Sequence, residues 1–228
     1  MVKTPTHPAG GYGSAKPPAM TKRWFDIVCS VIALIVLGPL MVIVAVLIRL
    51  DSPGGPIFRQ RRVGYRGRVF PMLKFRTMRT EVEPYGVSPH AGDDPRLTRL
   101  GRYLREKSLD ELPQLWNVLI GTMSLVGPRP LYERQAAQWN AHQRRRVEVR
   151  PGITGYAQVF GRAALTHEDK IDLDVYYVEQ QSFALDLKIL WKTVSSTLTG
   201  CADIYEQRYS RDRRCEADVS EGDADSAD

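Results

Sequence analysis

Two adjacent carboxylates, Asp110 and Glu111, are the residues in this chain whose type and spacing best suit chemistry. They lie in Ser108-Leu109-Asp110-Glu111-Leu112-Pro113-Gln114, which opens a predicted helix. One interpretation is structural, because Ser-x-x-Glu is the pattern of a capping box and acids in a first turn suit the helix dipole. Pro113 leaves the start of the helix open: it costs a helical hydrogen bond if Ser108 is the N-cap, and none if Asp110 is.

The same two carboxylates also suit catalysis. A carboxylate at a helix N-terminus, close to Arg105 and Lys107, is expected to have a lowered pKa. It would then be ionised and available as a nucleophile or metal ligand. Its neighbour can serve as a general base, and the backbone N–H groups of the helix start favour a phosphate.

Three basic segments supply candidate phosphate ligands. In Leu125-Val126-Gly127-Pro128-Arg129-Pro130, two prolines bracket Arg129 and restrict where its guanidinium points, which suits bidentate phosphate binding. Arg150 opens a second turn, Arg150-Pro151-Gly152-Ile153-Thr154-Gly155, and Lys74 and Arg76 alternate at the end of a predicted strand. Taken alone, each of these cations is also consistent with a solvated surface, and for Lys74 and Arg76 that interpretation is favoured.

A long apolar run precedes these segments. Residues 27–48, IVCSVIALIVLGPLMVIVAVLI, carry no charge and would reach about 33 Å as a straight helix, enough to cross a hydrocarbon core. A cleavable signal peptide is shorter and ends at small residues, which Arg49, Leu50 and Asp51 do not supply. A soluble core helix of this length without a polar face is disfavoured. The run therefore predicts a helix embedded in a membrane.

Gly38-Pro39 lies in the middle of this run and predicts a sharp kink. A spanning helix is basic mainly on its cytoplasmic side, yet this run has basic residues on both sides: Lys22, Arg23, Arg49, Arg59, Arg61 and Arg62. Cations at both ends favour a hairpin that enters one leaflet and returns to the same face. A kinked ordinary span is the alternative.

The rest of the chain predicts an α-rich α+β domain. Two β-rich runs, 57–60 and 69–78, flank Gly64-Tyr65-Arg66-Gly67 and predict a short hairpin. Residues 80–96 are polar, with prolines and glycines, and predict a loop. Helices are expected at 96–106, 110–120, 132–148, 167–181 and 185–198. The last of these is amphipathic, so it either lies in the membrane interface or packs in the core.

Composition divides the chain into four segments: a disordered leader (1–20), a kinked membrane helix (21–50), a catalytic domain (51–200) and a C-terminal extension with a disordered acidic tail (201–228). The last thirteen residues hold six acids and no Lys or Arg, so the remainder carries +12 against a net charge of +6. Such a basic body favours an anionic partner: nucleic acid, acidic lipid or a phosphate-bearing substrate. The three scattered cysteines argue against a disulfide framework or zinc site.

Five motifs, in this order, resemble those of the bacterial sugar transferase family, the monotopic phosphoglycosyl transferases. They are Lys74-Phe75-Arg76-Thr77-Met78, Ser108 to Val118, Leu125 to Pro130, Arg150 to Gly155 and Leu173-Asp174-Val175-Tyr176-Tyr177. The resemblance covers roughly residues 20–200. Two positions depart from the common pattern: Gly38 stands where many members have serine before the proline, and Thr122 where many have an acid.

The resemblance implies a re-entrant membrane helix and a two-step transfer. Asp110 would attack the β-phosphorus of a UDP-sugar, and UMP would leave. Glu111 would deprotonate or position the polyprenyl (undecaprenyl) phosphate that accepts the phosphosugar. Mg²⁺, held partly by Asp110, would offset charge on the diphosphate. By motif position, the substrate site would be lined by Lys74, Arg76, Arg105, Arg129, Arg150 and Asp174.

The expected partners follow from the same resemblance: a UDP-sugar, polyprenyl phosphate and the lipid bilayer of a bacterial inner membrane, with the catalytic domain on the cytoplasmic face. Nucleic acid is not expected, because no helix-turn-helix, RNA-recognition or zinc-finger signature occurs in the sequence. A homodimer is left open, as is the identity of the sugar. The rival function is a membrane-tethered anion-binding protein or scaffold without catalysis.

Overall fold

The computed structural model describes residues 20–80, 94–161 and 166–199 of the 228-residue chain. Residues 1–19 and 200–228, which hold the predicted leader and acidic tail, lie outside this part, as does most of the predicted 80–96 loop. Within the described residues the fold is helix-rich, with one long N-terminal helix and two small two-stranded sheets. The predicted α-rich α+β class is confirmed at this level.

The secondary structure elements follow one another in short lengths after the first helix. In chain order they are α1 (Met20–Asp51), β1 (Ile57–Val63), β2 (Val69–Phe75), α2 (Arg99–Glu106), α3 (Gln114–Ile120), β3 (Ser124–Val126), α4 (Glu133–Ala136), α5 (Ala141–Arg144), β4 (Gly152–Thr154), α6 (Tyr156–Phe160), α7 (His167–Gln180) and α8 (Phe183–Thr199). Three 3-10 helices lie between them, at Tyr65–Gly67, Leu109–Glu111 and Arg145–Glu148.

Helix α1 is, among the described residues, the one helix long and apolar enough by length and composition to cross a membrane. The chain stays helical through Pro39. Burial is concentrated at the ends: Asp26 and Ile48 are buried, whereas no residue from 31 to 43 is buried to that degree. A Cβ built on Gly38 would meet no described atom within 4 Å beyond the local helix. The middle of α1 therefore lies apart from the body that both ends contact.

The first turns of α1 dock on the body through charged side chains. The Arg23 guanidinium donates to two carbonyls at the C-terminal end of α3, at 2.6 and 2.8 Å. The Asp26 carboxylate accepts the N–H of Leu125 at 3.1 Å, and Lys22 forms a 2.6 Å salt bridge with Asp186 of α8. The basic residues before the apolar run thus also attach α1 to the domain.

The last turns of α1 dock through apolar packing. Val44 and Ile48 form one buried cluster with Phe75 of β2 and Leu104 of α2. Each of these four side chains is at most 4 % exposed, and burying such a side chain contributes about 1.5 to 3 kcal/mol. This cluster holds the end of α1 against β2 and α2, which lie next to Asp110 and Glu111.

The predicted hairpin is confirmed, with different bounds. Strands β1 and β2 pair antiparallel from Ile57 opposite Phe75 to Val63 opposite Val69. The connection is tight because Gly67 has a left-handed φ of 72°, which glycine adopts without a steric cost. Strand β1 runs three residues beyond the predicted 57–60, and β2 ends before the predicted Met78.

Three of the five helices predicted after the apolar run are confirmed by the structure. The segments predicted at 96–106, 167–181 and 185–198 are confirmed as α2, α7 and α8. The single helix predicted at 132–148 is wrong: it divides into α4, α5 and the 3-10 helix Arg145–Glu148. The break follows from Asn140, whose side chain accepts the N–H of Gln143 at 2.8 Å and starts a new helix there. Helix α6 and the parallel β3–β4 pair were not predicted.

Candidate active site

The carboxylate dyad lies on the short 3-10 helix Leu109–Glu111, between α2 and α3. Ser108 precedes it with a left-handed φ of 53°, an uncommon conformation for a residue other than glycine, and its side chain makes no capping bond. Helix α3 begins at Gln114, after Pro113. Both predicted N-caps are therefore wrong for α3, although Ser108 is the N-cap residue of the short 3-10 helix. The capping-box interpretation is wrong because the Ser108 side chain makes no capping bond. Proline ends one turn and opens the next, because it has no N–H to donate.

Two leucines flank the dyad and pack against the last turns of α1. Leu109 and Leu112 are partly buried against the cluster that contains Val44 and Ile48 of α1. The chain between these leucines carries Asp110 and Glu111 on the other side of the turn. The dyad is thereby fixed next to the end of the longest apolar segment among the described residues.

The two carboxylates meet two cations from different parts of the chain. The Nζ atom of Lys74, on β2, lies 2.6 Å from Oε1 of Glu111 and 3.8 Å from Oδ2 of Asp110. Arg129 contacts both oxygens of Glu111, from Nη2 to Oε1 at 2.7 Å and from Nη1 to Oε2 at 3.4 Å. The four side chains are between 9 and 16 % exposed. This low exposure strengthens their interactions by excluding water from between them.

The cations hold Glu111 in its ionised form. Burial alone raises the pKa of this carboxyl, but the charges of Arg129 and Lys74 and their hydrogen bonds outweigh burial and bring the pKa well below its usual range. A carboxylate with so low a pKa is a weak base at neutral pH. The ion pairs of the dyad involve Lys74 and Arg129, and the predicted influence of Arg105 and Lys107 stays a prediction.

The turn that carries Arg129 is built from the two proline-containing motifs. Strand β3 pairs parallel with β4, and the N–H groups of Gly127 and Gly152 donate to Thr154 and Pro128 at 2.9 and 3.0 Å. A Cβ on Gly152 would lie 2.1 Å from the Gly127 nitrogen, so no side chain fits. The glycines of both motifs are thus required by close backbone approach, and this approach aims Arg129 at the dyad.

Asp174 contacts the turn of Arg129 through Arg146. Its carboxylate forms a buried ion pair with Arg146, and Arg146 Nη2 also donates to the Arg129 carbonyl at 2.7 Å. Burial raises the pKa of Asp174 to about 6, against the opposing charges of Arg146 and Arg129. With 4 % of the residue exposed, Asp174 contacts the protein's own arginine. Its predicted substrate contact stays a prediction.

Three of the predicted phosphate ligands have other contacts. The Arg76 guanidinium donates to the main-chain oxygens of Ile48, Ser52 and Pro53 at 2.6 to 3.2 Å, and so caps the C-terminal end of α1. Arg105 donates from Nε to the Thr77 hydroxyl at 2.8 Å. Arg150 donates from Nε to the Gly121 carbonyl at 2.9 Å and lines a cleft with Lys22, Arg23 and Tyr65. Ion pairs thus bring Lys74 and Arg129 to the dyad.

Two positioning residues were missed by the sequence reasoning. Asn117 joins α3 to β2: its amide donates to the Pro71 carbonyl and its oxygen accepts the N–H of Leu73, both at 2.9 Å. Arg146 is the second, and it stands last in a run of three arginines. Periodicity marks neither residue, because an Asn inside a helix and an Arg in a basic run are both typical of a solvated surface.

Comparison with known proteins identifies the family of this chain. The model of the family described as bacterial sugar transferase matches residues 18–200. A protein named "Uncharacterized sugar transferase EpsL" from Bacillus subtilis is 45 % identical over 178 residues, covering 78 % of this chain and 87 % of that protein. The "Exopolysaccharide production protein PSS" of Rhizobium leguminosarum bv. phaseoli is 43 % identical over 194 residues, covering 78 % and 95 %.

A third relative carries a more specific name. The "UDP-glucose:undecaprenyl-phosphate glucose-1-phosphate transferase" of Caulobacter vibrioides is 41 % identical over 192 residues, covering 79 % of this chain and 70 % of that protein. The chain belongs to the bacterial sugar transferase family. It is an enzyme of the phosphoglycosyl transferase class.

Proposed function

We propose that this enzyme transfers a sugar-1-phosphate from a UDP-sugar to a polyprenyl phosphate, such as undecaprenyl phosphate, and releases UMP. The reaction would be the first membrane step of a glycoconjugate, exopolysaccharide or O-antigen-type pathway. The names of the relatives support the substrate classes. The observation that carries the proposal is the dyad beside Lys74 and Arg129, on a turn packed against the end of α1.

The transfer proceeds in two displacements at phosphorus. An oxygen of Asp110 bonds to the β-phosphorus, and the bond from that phosphorus to the bridging oxygen breaks. The bridging oxygen leaves with the electron pair as part of UMP. An oxygen of polyprenyl phosphate then bonds to the same phosphorus, and the bond to Asp110 breaks and restores the carboxylate. The intermediate is a phosphosugar bound to Asp110.

Lys74 and Arg129 supply positive charge where the phosphates react. Each cation donates a hydrogen bond to Glu111, and this bond fixes its position before a substrate binds. Cations that are already oriented stabilise charge developing in the transition state without the cost of reorganisation. The salt bridge of Lys74 with Asp110 at 3.8 Å also keeps the nucleophile oriented.

Glu111 acts in this mechanism by orienting Lys74 and Arg129. Its lowered pKa makes it a weak base. A phosphate monoester, with a second pKa near about 6, is largely deprotonated at neutral pH and needs little help from a base. Of the two roles that the family resemblance implies for Glu111, deprotonation of the polyprenyl phosphate is therefore disfavoured.

Magnesium fits the donor set if the substrate supplies part of it. Mg²⁺ is usually held by one or two carboxylates together with substrate phosphates, and not by a protein cage. Within 20–80, 94–161 and 166–199, no group of three or more His, Cys, Asp or Glu side chains is arranged to hold a metal. Asp110 is the carboxylate that would hold the ion. Once bound, the ion would neutralise charge on the diphosphate.

The membrane arrangement that we propose is the re-entrant one, with the catalytic domain on the cytoplasmic face of the inner membrane. Both ends of α1 contact the same body while its middle, around Gly38, does not. A helix of 32 residues would be about 48 Å long if straight, so the proposed re-entrant arrangement requires a bend between the two docked ends. Proline supplies a site for that bend.

Helix α8 supports contact with the membrane interface. Asp186 and Ile189 on one face are buried, at 2 % and 0 % exposure, whereas Trp191 and Val194 are 75 % and 54 % exposed. Lys192 lies on the same helix, 4.5 Å above the Phe160 ring. An exposed apolar face bordered by lysine is typical of a helix in the headgroup region.

The decisive experiment measures UMP release over a panel of UDP-sugars, with undecaprenyl phosphate and Mg²⁺. One UDP-sugar is expected to give turnover, and Asp110→Asn is expected to abolish it. Asp172→Asn is the matched control, since it makes the same change at a carboxyl 62 % exposed on α7. Incubation with donor and no acceptor should leave a phosphosugar on Asp110, detectable by mass spectrometry.

Two results would count against the proposal. If no UDP-sugar gave UMP, the proposed transferase reaction would be refuted. Turnover without a detectable adduct on Asp110 would remove the covalent step alone. The rival scaffold function predicts that Asp110→Asn leaves every measured property unchanged, because a scaffold does not use the nucleophile.

A further inference from the structure

The Arg146–Asp174 pair is the most buried ion pair among the described residues. The two side chains are 3 % and 5 % exposed. Arg146 comes from the 3-10 helix Arg145–Glu148 and Asp174 from α7, so the pair joins two elements that carry neither member of the dyad. Removing two charges from water costs several kcal/mol per ion before their attraction is counted, so such a pair is weak evidence of a stabilising role.

One nitrogen of Arg146 makes hydrogen bonds to two acceptors. Nη2 donates both to Asp174 and to the carbonyl oxygen of Arg129. Nε and Nη1 are buried and have no hydrogen-bond partner among the described residues. The guanidinium also lies over the Trp139 ring, 5.0 Å from its centroid, which limits its movement. Among the described residues, the hydrogen bonds that this buried group donates therefore reach Asp174 and the backbone of Arg129.

The backbone of Arg129 links the hydrogen bond from Arg146 to the side chain that contacts Glu111. Its neighbours Pro128 and Pro130 each have a φ fixed by the ring, and the Pro128 carbonyl is held by Gly152 at 3.0 Å. The Arg129 carbonyl is the next acceptor along the turn. When it is fixed as well, the guanidinium has a defined origin from which to reach both oxygens of Glu111.

We propose that Arg146, oriented by Asp174, is a positioning residue that sets the Arg129 guanidinium for the phosphates of the substrate. The inference rests on the proposed function, because it assigns Arg129 to that reaction. Arg146 itself does not touch the substrate. A displacement of about 1 Å at a group that orients a substrate can slow a reaction by about 100-fold, so the expected effect of losing Arg146 is of that order.

A double-mutant cycle tests this role. UMP release is measured for wild type, Arg146→Met, Arg129→Met and the double variant. Arg146→Met is expected to lower kcat/KM by about 100-fold in the wild-type background. In the Arg129→Met background it is expected to cost less than about threefold, because the group that it positions is already gone. Fold losses that multiply in the double variant would overturn the proposal.

The control uses a neighbouring ion pair between the same two elements. Arg145 pairs with Glu179, also between the 3-10 helix and α7, but these side chains are 39 % and 42 % exposed. Glu179→Gln is expected to keep kcat/KM within about twofold of wild type, since exposed pairs contribute little. An equal loss in Glu179→Gln would mean that the elements, and not Arg146, set the activity, and would overturn the proposal.

A second variant covers the case in which Arg146→Met does not fold. Asp174→Asn keeps the size of the side chain and an acceptor for Arg146 while removing the charge. It is expected to raise KM for the UDP-sugar and lower kcat while thermal unfolding shows a folded protein. Normal kinetics in folded Asp174→Asn would refute the role of the pair. Wild type and Asp110→Asn, assayed in parallel, report separately on the proposed function.

Discussion

The substitution Glu111→Gln separates the two roles that a second carboxylate can have in this site. It removes one charge and keeps the shape, so Lys74 and Arg129, at 2.6 and 2.7 Å, lose their ionised acceptor. A hydrogen bond to a charged group contributes about 1.5 to 3 kcal/mol and a neutral one about 0.5 to 1.5. The difference is about 1 to 1.5 kcal/mol for each contact, or about 2 to 3 kcal/mol for both.

This loss should appear in the first displacement, because both cations then lie less firmly where the diphosphate binds. At about 1.4 kcal/mol per factor of ten, the burst of UMP in the absence of lipid acceptor should slow by about 30- to 150-fold. Rapid-quench measurement of UMP over one turnover is the assay. If Glu111 instead served as a general base for the lipid phosphate, the burst would be normal and the phosphosugar adduct on Asp110 would accumulate.

A normal burst with an accumulating adduct would therefore refute the positioning role. Glu133→Gln is the control, because Glu133 forms an exposed ion pair with Arg61 at 2.9 Å, with exposures of 37 % and 65 %. The same change of a glutamate to its amide should leave the burst within about twofold there. A burst slowed equally by both substitutions would point to a general effect of charge.

Three further predictions test the surroundings of the site. Arg76→Met should lower the free energy of unfolding by about 2 to 3 kcal/mol in denaturant titration by freeing the end of α1, with KM for the donor unchanged; a raised KM in a fully stable protein would instead make Arg76 a substrate ligand. Gly152→Ala should cost about 3 kcal/mol and most of the activity because its Cβ would lie 2.1 Å from the Gly127 nitrogen, while Gly55→Ala, with open space around it, should behave as wild type. As the pH falls through about 6, Asp174 takes up a proton and UMP release should decline, whereas thermal unfolding should not weaken at this group because a raised folded-state pKa favours the folded protein at lower pH. The ratio of wild-type to Asp174→Asn activity should therefore approach one in acid, and a constant ratio would contradict this.

The parts of the protein that the sequence predicted are those encoded by neighbouring residues. The apolar run of α1, the hairpin and the long helices α7 and α8 each extend over enough residues for periodicity or composition to mark them. The dyad was likewise recognised from a local motif. Strands β3 and β4 were missed because three residues show no alternation that differs from chance, and their pairing joins segments 28 residues apart along the chain.

The contacts of the site could not be predicted, because they depend on distant segments. The Ser-x-x-Glu pattern suggested that Glu111 would cap its own helix, yet its carboxylate binds Lys74 and Arg129, which are 37 and 18 positions away. Arg76 alternates with Lys74 and was predicted to share its role, but its guanidinium binds α1. Burial decides which arginine of the run 144–146 pairs with Asp174, and burial of one member is not visible in three identical letters.

Leu109 and Leu112 pack on the last turns of α1, and this packing links the position of Asp110 and Glu111 to the position of that helix. In the proposed re-entrant arrangement, Asp110 could not change its depth in the membrane without α1 moving as well. The depth at which the phosphosugar would be transferred is then set by the depth of α1 in the membrane. If the reaction is the one proposed, the water-soluble donor and the phosphate of the lipid carrier would meet at this depth, and the thickness of the bilayer would then affect the reaction rate.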